Sequence, residues 1–423
     1  MLLLHLSDIH FRKRDIETAQ DLNFNLRNEI VRDARKFCKE LGPPDAIILS
    51  GDVAFAADPT EYEFATNWLS ELCAACGIDL SAIFVCPGNH DVVRKIADKT
   101  IVQMLHKSIK SSDEIATDAT IQGLLLDPET SRLLYESLDN YNAFAGQFFC
   151  DLLPPNRTLV HRDLELNDGS TLRLWAINTC FVSSSGDKEG DLFVDPASLQ
   201  ITRQDGVENV VIAHHHLSWI RQKQALEDHL NDVARIQIFG HVHTNRVHML
   251  RDYVRLSASA AHPDRHEPGW EPGYNLIEVS VEGTDGDRVL LVRTHVRVWQ
   301  TAPGGFHAKM DKNRDAFEHR IPLDSWTRPQ APAAEKEART DDRNSSNPEQ
   351  PSAETMTKIR EIGVRFYRLT FSQKSEIAGR LQLLEEQDIN QPDFERFRRV
   401  FLRAHERGKL DDLASAVANA EKI

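Results

Sequence analysis

Residues 82–91, Ala-Ile-Phe-Val-Cys-Pro-Gly-Asn-His-Asp, set a short apolar run directly before a cluster of metal-binding side-chain types. An apolar run this short, stopped by Pro-Gly, suits a strand buried on both faces. Working outward, the same arrangement recurs. Leu2–Ser7 leads into Asp8-Ile9-His10, and Ala46–Ser50 into Gly51-Asp52. Asn209–Ala213 leads into His214-His215-His216, and Ile236–Phe239 into Gly240-His241-Val242-His243. A further run, Leu172–Thr179, reads as one more strand. Residues 17–41 and 60–76 carry helical spacing instead, as in Phe64, Trp68, Leu69 and Leu72. This alternation predicts an α/β fold. Tyr274–Glu282 and Arg288–Trp299 alternate like paired antiparallel strands around the turn Gly283-Thr284-Asp285-Gly286.

In an α/β sandwich the carboxyl ends of the strands share one edge, so five separate segments are expected to converge there. Residues two apart in a strand point to the same side, which gives Asp8 with His10 and His241 with His243 a two-pronged grip if extended geometry persists past the strand ends. The glycines before Asp52, Asn89 and His241 let the backbone turn tightly. Each segment alone has a plain reading as a cap, a turn or a packed loop. Together they hold seven of the 18 histidines, each group placed after a buried run. Carboxylates, imidazoles and an amide suit manganese, iron or zinc better than calcium or an all-oxygen magnesium cage. Seven candidate ligands are too many for one tetrahedral ion, and a two-metal centre fits.

At 423 residues the chain is long enough for two or three units. No apolar run approaches the roughly 20 residues of a membrane span, and Met1–Leu4 lacks the pattern of a signal peptide, so a cytoplasmic protein without a membrane partner is expected. Six cysteines are too sparse for a disulfide scaffold, and Cys73-Ala-Ala-Cys76 without a second pair reads as helix packing. The net charge of −15 falls entirely on residues 1–327, because the remainder carries 17 basic and 17 acidic residues. Such a surface repels phosphate backbones unless bound cations reverse its sign locally. Three regions are expected: a catalytic domain over 1–327 with a helical insertion or cap over 92–172, a flexible linker over 328–355 rich in Pro, Ser and charge, and a small all-α domain over 356–423. Leu369, Ile377, Leu381, Leu384, Phe394, Phe397, Val400, Phe401, Leu410 and Leu413 form the expected core of that last domain.

The series Asp8-x-His10, Gly51-Asp52, Gly88-Asn89-His90-Asp91, His214 and Gly240-His241-x-His243 resembles the calcineurin-like metallophosphoesterases over roughly residues 1–300. The resemblance implies a four-layer sandwich, two mixed sheets flanked by helices, around two divalent transition-metal ions, with manganese first and iron or zinc as alternatives. By position, it implies that Asp8, His10, Asp52 and His243 hold one ion and that Asp52, Asn89, His214 and His241 hold the other, with Asp52 as the bridge. His214 is preferred to His215 because it comes first after its strand. His90 is then the candidate to protonate the leaving oxygen or stabilise phosphoryl charge, with Asp91 orienting it. His215 and His216 contact substrate or pack.

Val53-Ala54-Phe55-Ala56 after Gly-Asp departs from the protein serine/threonine phosphatases, which argues against phosphoprotein substrates. The segments LLHLSDIHF, SGDVAF and PGNHDV are more similar to the Mre11/SbcD nuclease and cyclic-nucleotide phosphodiesterase branches. The tail from about Lys358 is similar to small helical adaptor domains, effector-associated or death-like, of bacterial conflict systems, and implies a partner protein bearing a like domain. Its arginines 396, 398, 399, 403 and 407 offer a nucleic-acid contact or a solvated helix face. The leading expectation is a phosphodiesterase that cuts DNA or RNA in a defence or repair setting. Hydrolysis of cyclic or other small nucleotides is the enzymatic alternative, and a metallophosphoesterase fold kept as a binding scaffold the non-enzymatic one. A homodimer stays open.

Overall fold

In the computed structural model, residues 1–264, 266, 269–328 and 353–422 are described. The strands are β1 (Leu2–Leu6), β2 (Ala46–Leu49), β3 (Ile83–Val85), β4 (Leu159–Glu165), β5 (Thr171–Ile177), β6 (Val207–Ala213), β7 (Ala234–Phe239), β8 (Arg246–Met249), β9 (Val254–Ser257), β10 (Gly273–Glu282), β11 (Val289–Thr301), β12 (Gly304–Ala308) and β13 (Phe317–Pro322). The helices are α1 (Phe24–Leu41), α2 (Pro59–Cys76), α3 (Arg94–Ala97), α4 (Thr100–Lys110), α5 (Glu114–Leu126), α6 (Pro128–Tyr135), α7 (Asp139–Ala145), α8 (Lys223–Val233), α9 (Ala353–Tyr367), α10 (Phe371–Arg380), α11 (Asp393–Glu406) and α12 (Leu410–Ala420).

Two mixed sheets flanked by helices form the body. The seven-stranded sheet runs β12-β11-β10-β1-β2-β3 with β13 on β11, and the six-stranded sheet runs β4-β5-β6-β7-β9-β8. β1, β2 and β3 are buried at every position, as their near-continuous apolar text requires, with His5 of β1 the one polar side chain among them. They pair in parallel, as do β5, β6 and β7 in the other sheet, so the ends expected to carry the chemistry leave each sheet side by side. β10 and β11 form the expected antiparallel pair, and β10 docks against β1.

The helices are set by local rules. α1 buries Leu26, Ile30, Ala34 and Cys38, one stripe at helical spacing. α2 begins where the Asp58 side chain accepts from Thr60 N and Pro59 occupies the first turn, and it ends at left-handed Gly77. All six cysteines are free and buried. No helix among the described residues is long and apolar enough to cross a membrane.

Residues 92–172, read as a helical insertion or cap, are helical only as far as Phe148, and 159–165 form the edge strand β4. That strand reads Leu-Val-His-Arg-Asp-Leu-Glu, with only some of its side chains buried, so its text lacks the continuous apolar run that marks the inner strands. The linker expected over 328–355 lies outside the described residues except for 328 and 353–355, the last three of which already belong to α9.

Helices α9 to α12 pack around Ile359, Phe366, Leu369, Ile377, Phe397, Val400, Phe401, Leu413 and Val417. Phe149, from the two-sheet body, completes this core, its ring 5.6 Å from that of Phe401. Phe394, expected inside, faces the junction instead, where a Cβ on Gly146 would sit 3.1 Å from its Cβ. The junction is also ionic. Buried Asp151 pairs with Arg157 and, at 2.9 Å, with Arg398, while Arg157 reaches Glu395 at 2.8 Å. The other expected arginines are committed within the tail: Arg396 to Asp393, Arg399 to Glu395, Arg403 to Asp388 and Arg407 to Glu385. Asp151→Ala would strand the Arg398 guanidinium and leave Arg157 with Glu395 alone at a largely buried junction. It is expected to cost about 3 kcal/mol or more in a denaturant melt, whereas an unchanged midpoint would mean that the pairing does not clamp the tail.

Candidate metal centre

Beyond β1 and β2 the parallel pairing continues into the loops. Asp8 N donates to Gly51 O at 3.1 Å and His10 N to Asp52 O at 3.0 Å, before Phe11 bridges Ala54. Extended geometry does not persist there, contrary to expectation. Asp8, His10, Asp52, His241 and His243 all adopt left-handed φ, between +51° and +65°, and make up half of the ten non-glycine residues with positive φ among those described. L-residues adopt this conformation at a cost and cluster in it at functional sites. Asp8 and His10 therefore converge through alternating left-handed residues, not through the pleat of a strand.

The seven candidate ligands meet at one rim, contributed by both sheets. Asp52 lies at the centre, buried, with Oδ2 3.2 Å from His214 Nε2 and 3.7 Å from His10 Nε2. Its Oδ1 accepts from His90 N at 2.8 Å. On one side, Asp8 Oδ1 is 3.1 Å from His243 Nε2 and 3.6 Å from His10 Nε2. Ser7 Oγ and His241 N donate to the other Asp8 oxygen. On the other side, His214 Nε2 is 3.1 Å from Asn89 Oδ1, and its Nδ1 donates to Ser50 O at 2.9 Å, which fixes the ring. Three-residue groups with donor atoms within 4.8 Å of one another are Asp8-His10-His243, Asp8-Asp52-His214, His10-Asp52-His90 and His214-His215-His241.

Both ring nitrogens of His10 are buried without a hydrogen-bond partner among the described residues. Such orphaned groups are rare and costly, and a cation facing imidazole and carboxylate donors would satisfy them. The residues therefore fit divalent ions. Burial alone would raise the Asp8 and Asp52 carboxyls, but the facing histidines hold both well below the usual range. Burial likewise opposes charge on His214, yet the Asp52 carboxylate lifts it to about 9, while His241 is pushed down to about 4 by burial.

Three glycines permit this closeness. A Cβ on Gly88 would sit 2.1 Å from Asp52 Oδ1, one on Gly51 2.5 Å from His214 Nδ1, and one on Gly240 2.3 Å from Ser7 Oγ. Of the histidine triplet, His214 occupies the centre. His215 hydrogen-bonds through Nδ1 with Thr179 Oγ1 at 2.8 Å, and its Nε2 is buried without a partner among the described residues. His216 caps a short turn at Ser218.

Asp91 does not orient His90. The His90 ring is held by Phe55 O, which accepts from Nδ1 at 2.7 Å, and a backbone carbonyl in that role leaves no side-chain signal in the sequence. Asp91 instead accepts from Gly88 N, Ala54 N, Val53 N and the Tyr62 hydroxyl, and so fastens the loop after β3 to the loop after β2. Burial and the Asp52 charge raise its carboxyl to about 6 against these donors. Asp91→Ala would leave four buried donors unmet and is expected to cost about 4 kcal/mol or more, at about 1–3 kcal/mol per orphaned group. A melting temperature equal to that of the parent would return Asp91 to a purely catalytic role.

This arrangement defines a class. The calcineurin-like phosphoesterase family model matches residues 1–245, and the chain belongs to that family, whose members typically bind a dinuclear metal centre. Residues 358–419 match the GTPase-associated adaptor domain. The uncharacterized metallophosphoesterase-like protein YydB of Bacillus subtilis is 23% identical over 314 residues, covering 70% of this chain and 60% of that protein. The chain thus spans about three-fifths of that relative's length. Glycerophosphodiester phosphodiesterase GpdQ of Enterobacter lignolyticus is 33% identical over 91 residues, covering 22% of this chain and 30% of that protein. Among solved structures, GAP50 of Plasmodium aligns with a TM-score of 0.39 at 9% identity, covering 77% of this chain and 90% of that one. Vps29 of Chaetomium thermophilum aligns at 0.30 and 10% identity, covering 76% and 98%. Both likenesses are too loose to bear on activity.

Proposed function

We propose that the chain is a two-metal phosphodiesterase acting on a small phosphodiester such as a nucleotide. One ion would be held by Asp8, His10, Asp52 and His243, and the other by Asp52, Asn89, His214 and His241. Manganese is the first choice, with iron or zinc as alternatives. The observation that carries the reading is the Asp52 carboxylate, with histidines from both ligand groups within 3.7 Å of a single oxygen. Bound there, two such ions supply Lewis acidity at phosphoryl oxygens and an activated water for in-line displacement. The chain's own part is to orient. Asn89 sits in the loop that the Asp91 clamp fastens, and Phe55 O holds the His90 ring, so His90 can present Nε2 to the leaving oxygen. With all seven candidate ligands in place, the scaffold alternative has little support.

The charge of −15 favours a small diester, as does the commitment of the five tail arginines to intramolecular pairs. A nuclease in a bacterial defence or repair setting is the second reading, supported by the likeness of the SDIHF and PGNHD segments to the nuclease branch. In either reading the adaptor recruits a partner protein, and the setting is cytoplasmic. One panel with manganese tests both: cyclic mononucleotides, a chromogenic diester, plasmid, single-stranded DNA and RNA. Turnover of the small diesters with the polymers left intact is expected. Efficient cutting of polymers would move the nuclease to first place, and no turnover of any of them with metal bound would remove the activity.

A further inference from the structure

Two of the candidate ligand histidines differ in what holds them. The His214 ring is fixed by the Ser50 carbonyl, as metal-bound imidazoles commonly are by an oxygen. His241 has its backbone N on Asp8, but neither of its ring nitrogens meets a hydrogen-bond partner among the described residues. Other rings wall it in instead. The Trp219 indole meets it edge to face, with centroids 4.4 Å apart at 86°, and His215 lies 4.5 Å away at 56°. The second torsion of a histidine is broad, so an imidazole that no oxygen orients can turn unless packing stops it.

Trp219 is itself anchored. It ends the turn Leu217–Trp219, whose start His216 caps: Nδ1 of that ring accepts from Ser218 N, and His216 O accepts from Trp219 N at 2.9 Å. Trp219 O accepts from Leu192 N at 3.0 Å, and Arg221 N donates to Leu192 O at 2.8 Å, which pins the backbone on both sides of Ile220 to a neighbouring loop. The half-buried indole packs against the apolar cluster that includes Leu192, Leu217 and Ile220. The histidine triplet therefore divides into a candidate ligand, a wall for His241 and a cap for the turn that carries Trp219.

We propose that Trp219 is a positioning residue for His241: anchored outside the ligand set, its indole keeps the imidazole turned for the ion assigned to Asp52, Asn89, His214 and His241. The assignment rests on the two-ion reading of the centre, and its test reads metal binding, not turnover.

The metal-free full chain is titrated with manganese by calorimetry. The variants are Trp219→Leu, Trp219→Phe, His241→Ala, and the chain carrying both Trp219→Leu and His241→Ala. The parent should take up two ions, and the one that His241→Ala weakens is the ion His241 serves. Trp219→Leu should weaken that same ion about 10-fold, at the upper end of what an edge-to-face aromatic pair contributes, and leave the other unchanged. Trp219→Phe, which keeps an aromatic ring, should recover most of the loss. In the His241→Ala background Trp219→Leu should add nothing, because the indole acts through the imidazole. Equal affinities in Trp219→Leu and the parent overturn the proposal while the two-ion centre stands. A Phe variant no better than the Leu one, a further loss in the His241→Ala background, or a weakening of both ions at once overturns it too, since the indole would then only support the rim as a whole. A parent that takes up fewer than two ions removes the centre, and the proposal with it.

Discussion

Asp52→Asn is expected to abolish diester hydrolysis and to lower metal content in elemental analysis of the purified protein. Asparagine keeps the shape of the side chain and is among the few residues that accept the left-handed φ of +54° found at this position. The substitution therefore isolates the charge. That charge faces His10 and His214 from one oxygen, and it holds His214 protonated in the absence of an ion. Replacing even an outer partner of a metal site costs about 10- to 100-fold in affinity, and loss of a shared carboxylate should exceed the upper end. Full metal content with undiminished manganese-dependent turnover would reject the centre.

His90→Ala should leave metal content intact while lowering kcat by about 10²- to 10⁴-fold, the range for a positioned general acid. Its ring shares a donor group with His10 and Asp52, but the shortest imidazole contacts to Asp8 and Asp52 come from His10, His214 and His243. Nδ1 is spent on Phe55 O, which leaves Nε2 as the nitrogen for substrate. The loss should depend on the leaving group. An alkyl diester needs a proton on its departing oxygen, whereas p-nitrophenolate leaves without one, so the chromogenic substrate should lose far less. Equal losses on both would assign His90 to stabilising phosphoryl charge.

The candidate ligands were legible because each follows a buried run, and runs such as AIIL and VVIA can be read without knowing how the strands pair. His214 could be preferred within its triplet for the same reason. What stayed hidden depends on three-dimensional closeness. Nothing local tells β10 to lie beside β1, since an antiparallel pair can extend either edge of a sheet. The left-handed backbone at Asp8 and His10 was missed because neither residue type demands it. Asp91 sat in the right motif with the wrong task, because its four partners come from three distant positions as well as from Gly88 next to it. Phe149 gave no hint that it serves the core of another helical unit.

Phe149 and the Asp151 pairs dock the helical tail against the body as a bracket would be fastened. A partner that grasped the outer side of that bracket would inherit a compass heading for the metal rim. Copies gathered on one platform would all aim their rims the same way, so assembly would dictate the direction of attack as well as the local dose of enzyme.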